Sequence, residues 1–315
     1  MRVIEKLQQG QTLSVEIEPP ELGKNIRDLE KMLDPLVDLG ISFIDITYHR
    51  EKIVEFVTLN GCAIPVVQRK KPGTAGVAGF IKARYGAKGV EPVPHVICLG
   101  FDPHQTEEFL VELSYLGVEN VLALRGDKSE EGLQLSPLSP QHASELVQQT
   151  VRLRNGIYVG AKEGCPIHFC VGAACYPEKH KESPDWEHEL KWLKAKVDAG
   201  VDYLVTQLFF DPVVYKTFVD KARAAGITVP IIPGIFPLSS YTQIHKLPKM
   251  FDCTIPDDLR KIVEVNKDDA KAIKHLGIEW CTYQCQELKK YGAPGLHFYA
   301  MRNSPVKEVV KKLMG

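Results

Sequence analysis

The sequence predicts an α/β fold: a (β/α)8 barrel of the TIM type, one domain over residues 1–315, with extra helices before the last strand. Three observations predict it. Short β-rich runs alternate with amphipathic helical stretches about eight times, the pattern of a parallel sheet. Several helical stretches stop at a glycine, as in Leu116-Gly117, Ala199-Gly200 and Ala225-Gly226, where a left-handed cap is expected. The motif G-x-G-x-x-G, with which an open dinucleotide-binding sheet announces itself, is absent, and the first strand ends in Pro19-Pro20.

The strands are expected at 13–18, 43–48, 95–99, 120–124, 168–174, 203–208, 229–232 and 296–299, each a short apolar run of strand length. Helical periodicity fills 106–116, 143–154, 186–199 and 212–224. Residues 61–89 hold a basic turn, Arg69-Lys70-Lys71-Pro72-Gly73-Thr74, before a helix, and read as the second crossover. Residues 249–292 are long for one connection and read as extra helices.

Composition narrows the function. Of 315 residues, 44% are apolar and 25% charged, which is globular rather than disordered. Forty acids against 39 bases leave no excess for nucleic acid or an anionic membrane, so a small-molecule partner is expected. No apolar run approaches the roughly 18 residues of a membrane span. The start, MRVIEKLQQG, lacks the apolar core of a secretory signal, so a cytoplasmic location is expected. Cys165, His168, Cys170, Cys175 and His180 are crowded enough to suggest zinc, but no C-x-x-C pair is present. Buried reduced thiols are the plainer account, and no metal is expected.

In such barrels the working residues gather where strands end and βα loops converge. Alternation along the first strand puts Leu13, Val15 and Ile17 on one face and Ser14, Glu16 and Glu18 on the other. The apolar face belongs under the helices, which sends the carboxylates inward. Burial raises the pKa of an inward acid, making it a neutral proton donor near pH 7; pairing with lysines at the rim is the alternative. The second strand ends with Asp45 and Thr47 on one parity. The fourth runs into Arg125-Gly126-Asp127, where a glycine would let a ligand approach the backbone. The fifth ends with small residues and then Tyr176, suited to a flat ring. Gln207, ending the sixth, offers the donor and acceptor that complement a heterocyclic amide; a satisfied core glutamine is the alternative.

Nine motifs in order, S-V-E-I-E-P-P, I-T-Y, P-H-V-I-C, A-L-R-G-D, Y-P-E-K-H, K-V-D-A-G, T-Q-L-F-F-D, I-I-P-G-I and L-H-F-Y, span nearly the whole chain. Together they resemble the catalytic barrel of the methylenetetrahydrofolate reductases. The resemblance implies FAD in the barrel mouth and ping-pong reduction of 5,10-methylenetetrahydrofolate to 5-methyltetrahydrofolate by NADH or NADPH. It makes Glu16 the general acid, with Glu18 the weaker candidate because the family usually has an aromatic residue there. Asp127 falls where a negative charge tunes flavin and pterin, and Gln207 on a pterin-binding position. Flavin contacts carry over to Thr47, Tyr48, His95, Arg125, Gly126, Ala174, Tyr176, His180 and Lys196, and also to Ala143 and Glu189. His95, at the start of the expected third strand, lies at the wrong end for a mouth contact unless that strand begins earlier.

The resemblance also shows departures from the family's pattern, at His49-Arg50, where Gly-Ala is common, and at Arg302-Asn303, which stand exchanged. The chain carries no counterpart of the regulatory domain of eukaryotic members, so control by S-adenosylmethionine is not expected. A homo-oligomer is expected. Two rival readings are a flavin-free pterin or one-carbon methyltransferase barrel, and a folate- or flavin-binding subunit reduced by a partner protein.

Overall fold

The computed structural model describes residues 1–10, 12–127, 136–300 and 304–314. Nine parallel strand segments form one sheet, in the order β10-β11-β1-β2-β5-β6-β7-β8-β9. They are β1 (Thr12–Ile17), β2 (Phe43–Ile46), β5 (Glu91–Ile97), β6 (Asn120–Leu124), β7 (Cys170–Cys175), β8 (Tyr203–Thr206), β9 (Ile231–Ile232), β10 (Gly234–Ile235) and β11 (Gly295–Ala300). Pro233 separates β9 from β10, so these two are halves of one stave. β9 pairs with β8, β10 pairs with β11, and the Pro233 carbonyl accepts the His297 N–H at 3.0 Å. The sheet thereby closes on itself as the expected eight-stave barrel, with flanking helices.

Five helices lie outside the staves: α2 (Ile26–Val37), α3 (Thr74–Tyr85), α4 (Pro103–Tyr115), α5 (Ala143–Leu153) and α6 (Trp186–Asp198). They are followed by α7 (Pro212–Ala224), then α8 (Gln243–Phe251), α9 (Asp257–Val265) and α10 (Ala270–Lys290), and finally α11 (Val306–Met314). The extra helices expected before the last strand are therefore α8 to α10. Asp102, Asp185, Asp211 and Asp269 cap α4, α6, α7 and α10 by accepting first-turn backbone N–H groups. Gly117, Gly200 and Gly226 end three of the helices in the left-handed region, at φ 70°, 112° and 76°. The larger apolar core lies between staves and helices, and holds Val15, Ile17, Ile44, Ile46, Val121 and Val171.

A smaller cluster, with Phe43, Val93, Leu122, Tyr203 and Ile232, forms around Val3 of α1 (Val3–Gln9). The Val3 N–H reaches Asn120 Oδ1 at 2.8 Å, which ties α1 to the start of β6. Asn120 begins its strand, so α1 covers the barrel end opposite the βα loops.

Two expectations change. The third barrel strand begins earlier than expected, at Glu91, which puts His95 near its C-terminal end and removes the conflict over its position. The second crossover is not simply a turn and a helix. It carries an antiparallel hairpin, β3 (Lys52–Leu59) and β4 (Cys62–Gln68), before α3. Asn60 and Gly61, at φ 51° and 79°, make its two-residue turn. The hairpin projects from the loop after β2 and leaves Phe56 and Leu59 about 60% and 59% exposed.

Candidate active site

Glu16 stands in register beside Asp45 on one flank and Tyr299 on the other. Val15 and Ile17 are fully buried toward the helices, so strand alternation turns Ser14 and Glu16 into the barrel. Glu16 Oε2 lies 3.5 Å from His95 Nε2. Below it, the Ser14 hydroxyl and His297 Nδ1 are 2.9 Å apart, and Asp45 Oδ2 is 3.7 Å from that nitrogen. Asp45, His95 and His297 are buried, whereas 23% of the Glu16 side chain remains accessible from the mouth.

Desolvation governs the charge of this group. Burial raises the Glu16 carboxyl to about 7. Burial and the neighbouring Glu16 hold Asp45 well above the carboxylate range. Burial drops both imidazoles to about 3, with His297 and His49 adding to the effect at His95. Near neutral pH the interior therefore holds neutral imidazoles and a carboxyl poised to give up its proton. His95 Nε2, His297 Nε2 and the Tyr203 hydroxyl have no hydrogen-bond partner among the described residues. Buried orphans of this kind call for a ligand or for water.

Glu18 has the other fate open to a strand-end acid. It pairs with Lys71 at the rim and lies 3.9 Å from His49. Of the two carboxylates the alternation turned inward, Glu16 alone stays in the mouth.

The remaining residues fall into two groups. After β2, the Thr47 hydroxyl donates to the Ile17 carbonyl at 3.2 Å and meets His49 Nε2 at 2.8 Å. Tyr48 packs edge-on to Phe101 and Phe109, at 5.6 and 5.7 Å, and lines a cavity of about 210 Å³ with Ile97 and Gln105. Across the mouth, Tyr176 packs against His180 at 4.5 Å. Glu189 is buried and accepts the Ser183 hydroxyl and the His180 N–H. Lys196 Nζ donates to the Ala174 carbonyl at 2.7 Å, and burial lowers its pKa. Gly126 lies at φ +84°, and a Cβ there would come within 3.1 Å of Ile97, so the bare backbone is needed. Ala143 opens α5, and Asp127 is exposed at the edge of the described residues.

Three expected ligand contacts are partly spent within the protein. Arg125 makes a forked pair with Glu182 at 2.6 and 3.1 Å, and Glu189 serves the 180–183 turn. Gln207 Oε1 accepts the Leu208 N–H at 2.9 Å, which leaves its amide nitrogen, rather than both ends, to address a heterocycle. Sequence reasoning did not single out His297, and noted Asp45 only as polar. Asp45 and His297 were hidden by their distance along the chain. Arg302 and Asn303 lie outside the described residues.

The cysteines of the suggested zinc cluster separate, Cys165 exposed and Cys170 and Cys175 buried. No helix among the described residues is long and apolar enough to cross a membrane. The site suits a flat, polar ring system: small residues and a bare glycine at strand ends, aromatic walls, and unsatisfied donors beneath.

A family profile described as methylenetetrahydrofolate reductase matches residues 2–314. A probable methylenetetrahydrofolate reductase (NADPH) of Caenorhabditis elegans is 30% identical over 99% of this chain, and the match takes in 43% of that relative. The Arabidopsis thaliana methylenetetrahydrofolate reductase (NADH) 1 is 29% identical, with 48% of its length matched. The chain thus spans less than half the length of these two relatives. The 5,10-methylenetetrahydrofolate reductase of Escherichia coli is 28% identical, and the match covers 98% of this chain and 92% of that one. Among solved structures, an uncharacterized Clostridium thermocellum protein described as binding two copies of 5-methyl-5,6,7,8-tetrahydrofolic acid superposes with a TM-score of 0.61. It covers 98% of this chain and 96% of its own at 14% identity, a likeness of fold.

Proposed function

Because this chain belongs to the methylenetetrahydrofolate reductase family, we propose that it reduces 5,10-methylenetetrahydrofolate to 5-methyltetrahydrofolate, with FAD as cofactor and NADH or NADPH as donor. One observation carries the reading. Glu16 sits inside the barrel mouth with its carboxyl raised to about 7, so an acid is present where a pterin would enter.

Bound FAD would supply the two-electron carrier between donor and folate. Gly126, Ala174, Tyr176, His180 and Lys196 fit its ring and chain, since they gather small residues, an aromatic wall and a lysine with lowered pKa at one side of the mouth. Thr47, Tyr48 and His95 fit the other side, where His95 Nε2 has no hydrogen-bond partner among the described residues. Glu16, about half protonated near pH 7, gives its proton to the folate ring, which opens the methylene bridge to the reactive iminium. His95, held neutral, does not compete for that proton. The amide nitrogen of Gln207 orients the pterin, and Asp127 adds negative charge at the mouth.

The test is anaerobic and uses the FAD-loaded protein. Flavin absorbance should bleach with NADH or NADPH and return on adding 5,10-methylenetetrahydrofolate. A protein that takes up no FAD points to a flavin-free methyltransferase barrel instead. One that holds FAD but is bleached by neither nicotinamide points to a subunit served by a partner protein. The exposed apolar hairpin beside the mouth is the observation that favours this second reading.

A further inference from the structure

Arg50 lies in the connection between the end of β2 and the start of β3. Its Nε and both terminal nitrogens are sealed from solvent, and none has a hydrogen-bond partner among the described residues. The guanidinium carbon sits 5.5 Å from the Phe101 ring centroid. One terminal nitrogen rests against the Arg125-Gly126-Asp127 turn, 3.4 Å from where a Cβ of Gly126 would stand. Asp127, Tyr48 and Cys98 act on it electrostatically, but no described acid forms an ion pair with it.

A second guanidinium completes the arrangement. Arg69, just past the other end of the hairpin, lies 6.0 Å from the Tyr48 ring centroid, and Tyr48 packs edge-on to Phe101 at 5.6 Å. The two ends of the hairpin therefore bring one cation to each ring of one aromatic pair at the barrel mouth. Arg69 has a loose acidic neighbour, Glu51 at 3.8 Å, whereas Arg50 has none at pairing distance among the described residues. A sealed, unpaired guanidinium is costly to keep unless an anion arrives to meet it.

We propose that Arg50 binds a phosphate group of a dinucleotide, with Arg69 as its outer partner. The inference rests on the reading that the mouth accepts dinucleotides. The planar guanidinium fork matches phosphate oxygens in geometry as well as charge, and a pyrophosphate carries two charges for two cations. Either FAD or the nicotinamide donor could supply that pyrophosphate, and the experiment separates them.

Wild type, Arg50→Met and Arg50→Lys are titrated with FAD, FMN and riboflavin, following flavin fluorescence. The FAD-loaded proteins are then titrated anaerobically with NADH and NADPH for half-maximal bleaching. If FAD supplies the phosphate, Arg50→Met weakens FAD about 10- to 100-fold, Arg50→Lys weakens it less, and riboflavin changes less than about threefold. If the donor supplies it, FAD affinity holds and the donor concentration for half bleaching rises by a similar factor. The inference is overturned if neither changes, or if riboflavin weakens in step with FAD. It is also overturned if ligand-free Arg50→Met melts well below wild type, since removing an unpaired buried charge should not destabilise. A wild type that binds no flavin defeats the functional reading instead. Inorganic pyrophosphate then decides this one: raising the melting temperature of wild type but not of Arg50→Met supports it, and equal or absent shifts overturn it.

Discussion

Desolvation at Glu16 makes a claim about reactivity that one substitution can check. The carboxyl is raised by burial, with no cation among the described residues set against it, so it is half protonated at about pH 7. Glu16→Gln keeps size and hydrogen bonding but removes the proton. Donor-driven bleaching of the flavin should survive, while folate turnover falls about 10²- to 10⁴-fold. The same acid sets the pH profile. Reduction of the folate needs the protonated form, so its rate should hold below pH 7 and fall about tenfold for each unit above. Bleaching by NADH, which does not use this proton, should not share that limb. Stopped-flow measurement of the two half-reactions across pH 6–9 separates them. A folate step that stays flat to pH 9, or a Glu16→Gln protein turning over at the parental rate, would transfer the role to another group.

Among the elements, α10 shows how a helix far from the chemistry fixes a site loop. Its Trp280 Nε1 donates to the Phe210 carbonyl at 2.9 Å and its Gln284 Nε2 to the Phe209 carbonyl at 2.7 Å. Those carbonyls belong to the loop after β8 that carries Gln207. Gly277 lets the same helix lie against the loop after β10, because a Cβ there would stand 1.8 Å from the Leu238 carbonyl oxygen. Alanine is ordinarily about 1 kcal/mol better than glycine inside a helix. Gly277→Ala should nonetheless lose at least about 1–3 kcal/mol, as overpacked cores do. Gly76→Ala in α3, with nothing within 4 Å of its added methyl, should be neutral or gain up to about 1 kcal/mol. Urea denaturation of the pair gives both signs, and a stable Gly277→Ala would mean that α10 is free to shift. The sequence made this layer partly legible. The period-2 alternation of β1 and the glycines behind α4, α6 and α7 are local signals, and both elements and facing could be read from them. The onset of β5 takes in Pro92 and Pro94, residues disfavoured inside strands, so no local signal marks it. The hairpin did carry a signal, Asn60-Gly61 between two β-rich runs, but the basic turn after it drew the reading toward a plain crossover. The pairing of Asp45 with His297 had no local sign at all, since 252 residues separate them and only barrel closure brings them together.

Across the whole molecule, that closure places four titratable groups in one desolvated interior, and their effects on stability oppose one another. His95 and His297 are lowered to about 3 from 6.5. Their contribution is fully present above pH 6.5 and is lost as pH falls toward 3, because the unfolded chain binds protons that the folded barrel refuses. Glu16 and Asp45 are raised, so their contribution is present at low pH and is lost as pH rises through their folded values, about 7 for Glu16. Where both sets titrate, the two histidines and the two carboxyls oppose one another, which flattens their joint effect on stability. Replacing one histidine removes that balance. His297→Asn keeps a polar partner for Ser14 but no longer titrates. It should be less stable than wild type at pH 6.5 through lost packing, yet the gap should narrow on acidification by about 1.4 kcal/mol per pH unit, the weight of one proton. Denaturant midpoints for both proteins at pH 6.5, 5.5 and 4.5 measure that narrowing. A gap that stays constant would mean that the imidazole charges freely inside the barrel. The interior would then be wet enough to deprive Glu16 of the desolvation on which its role as an acid depends.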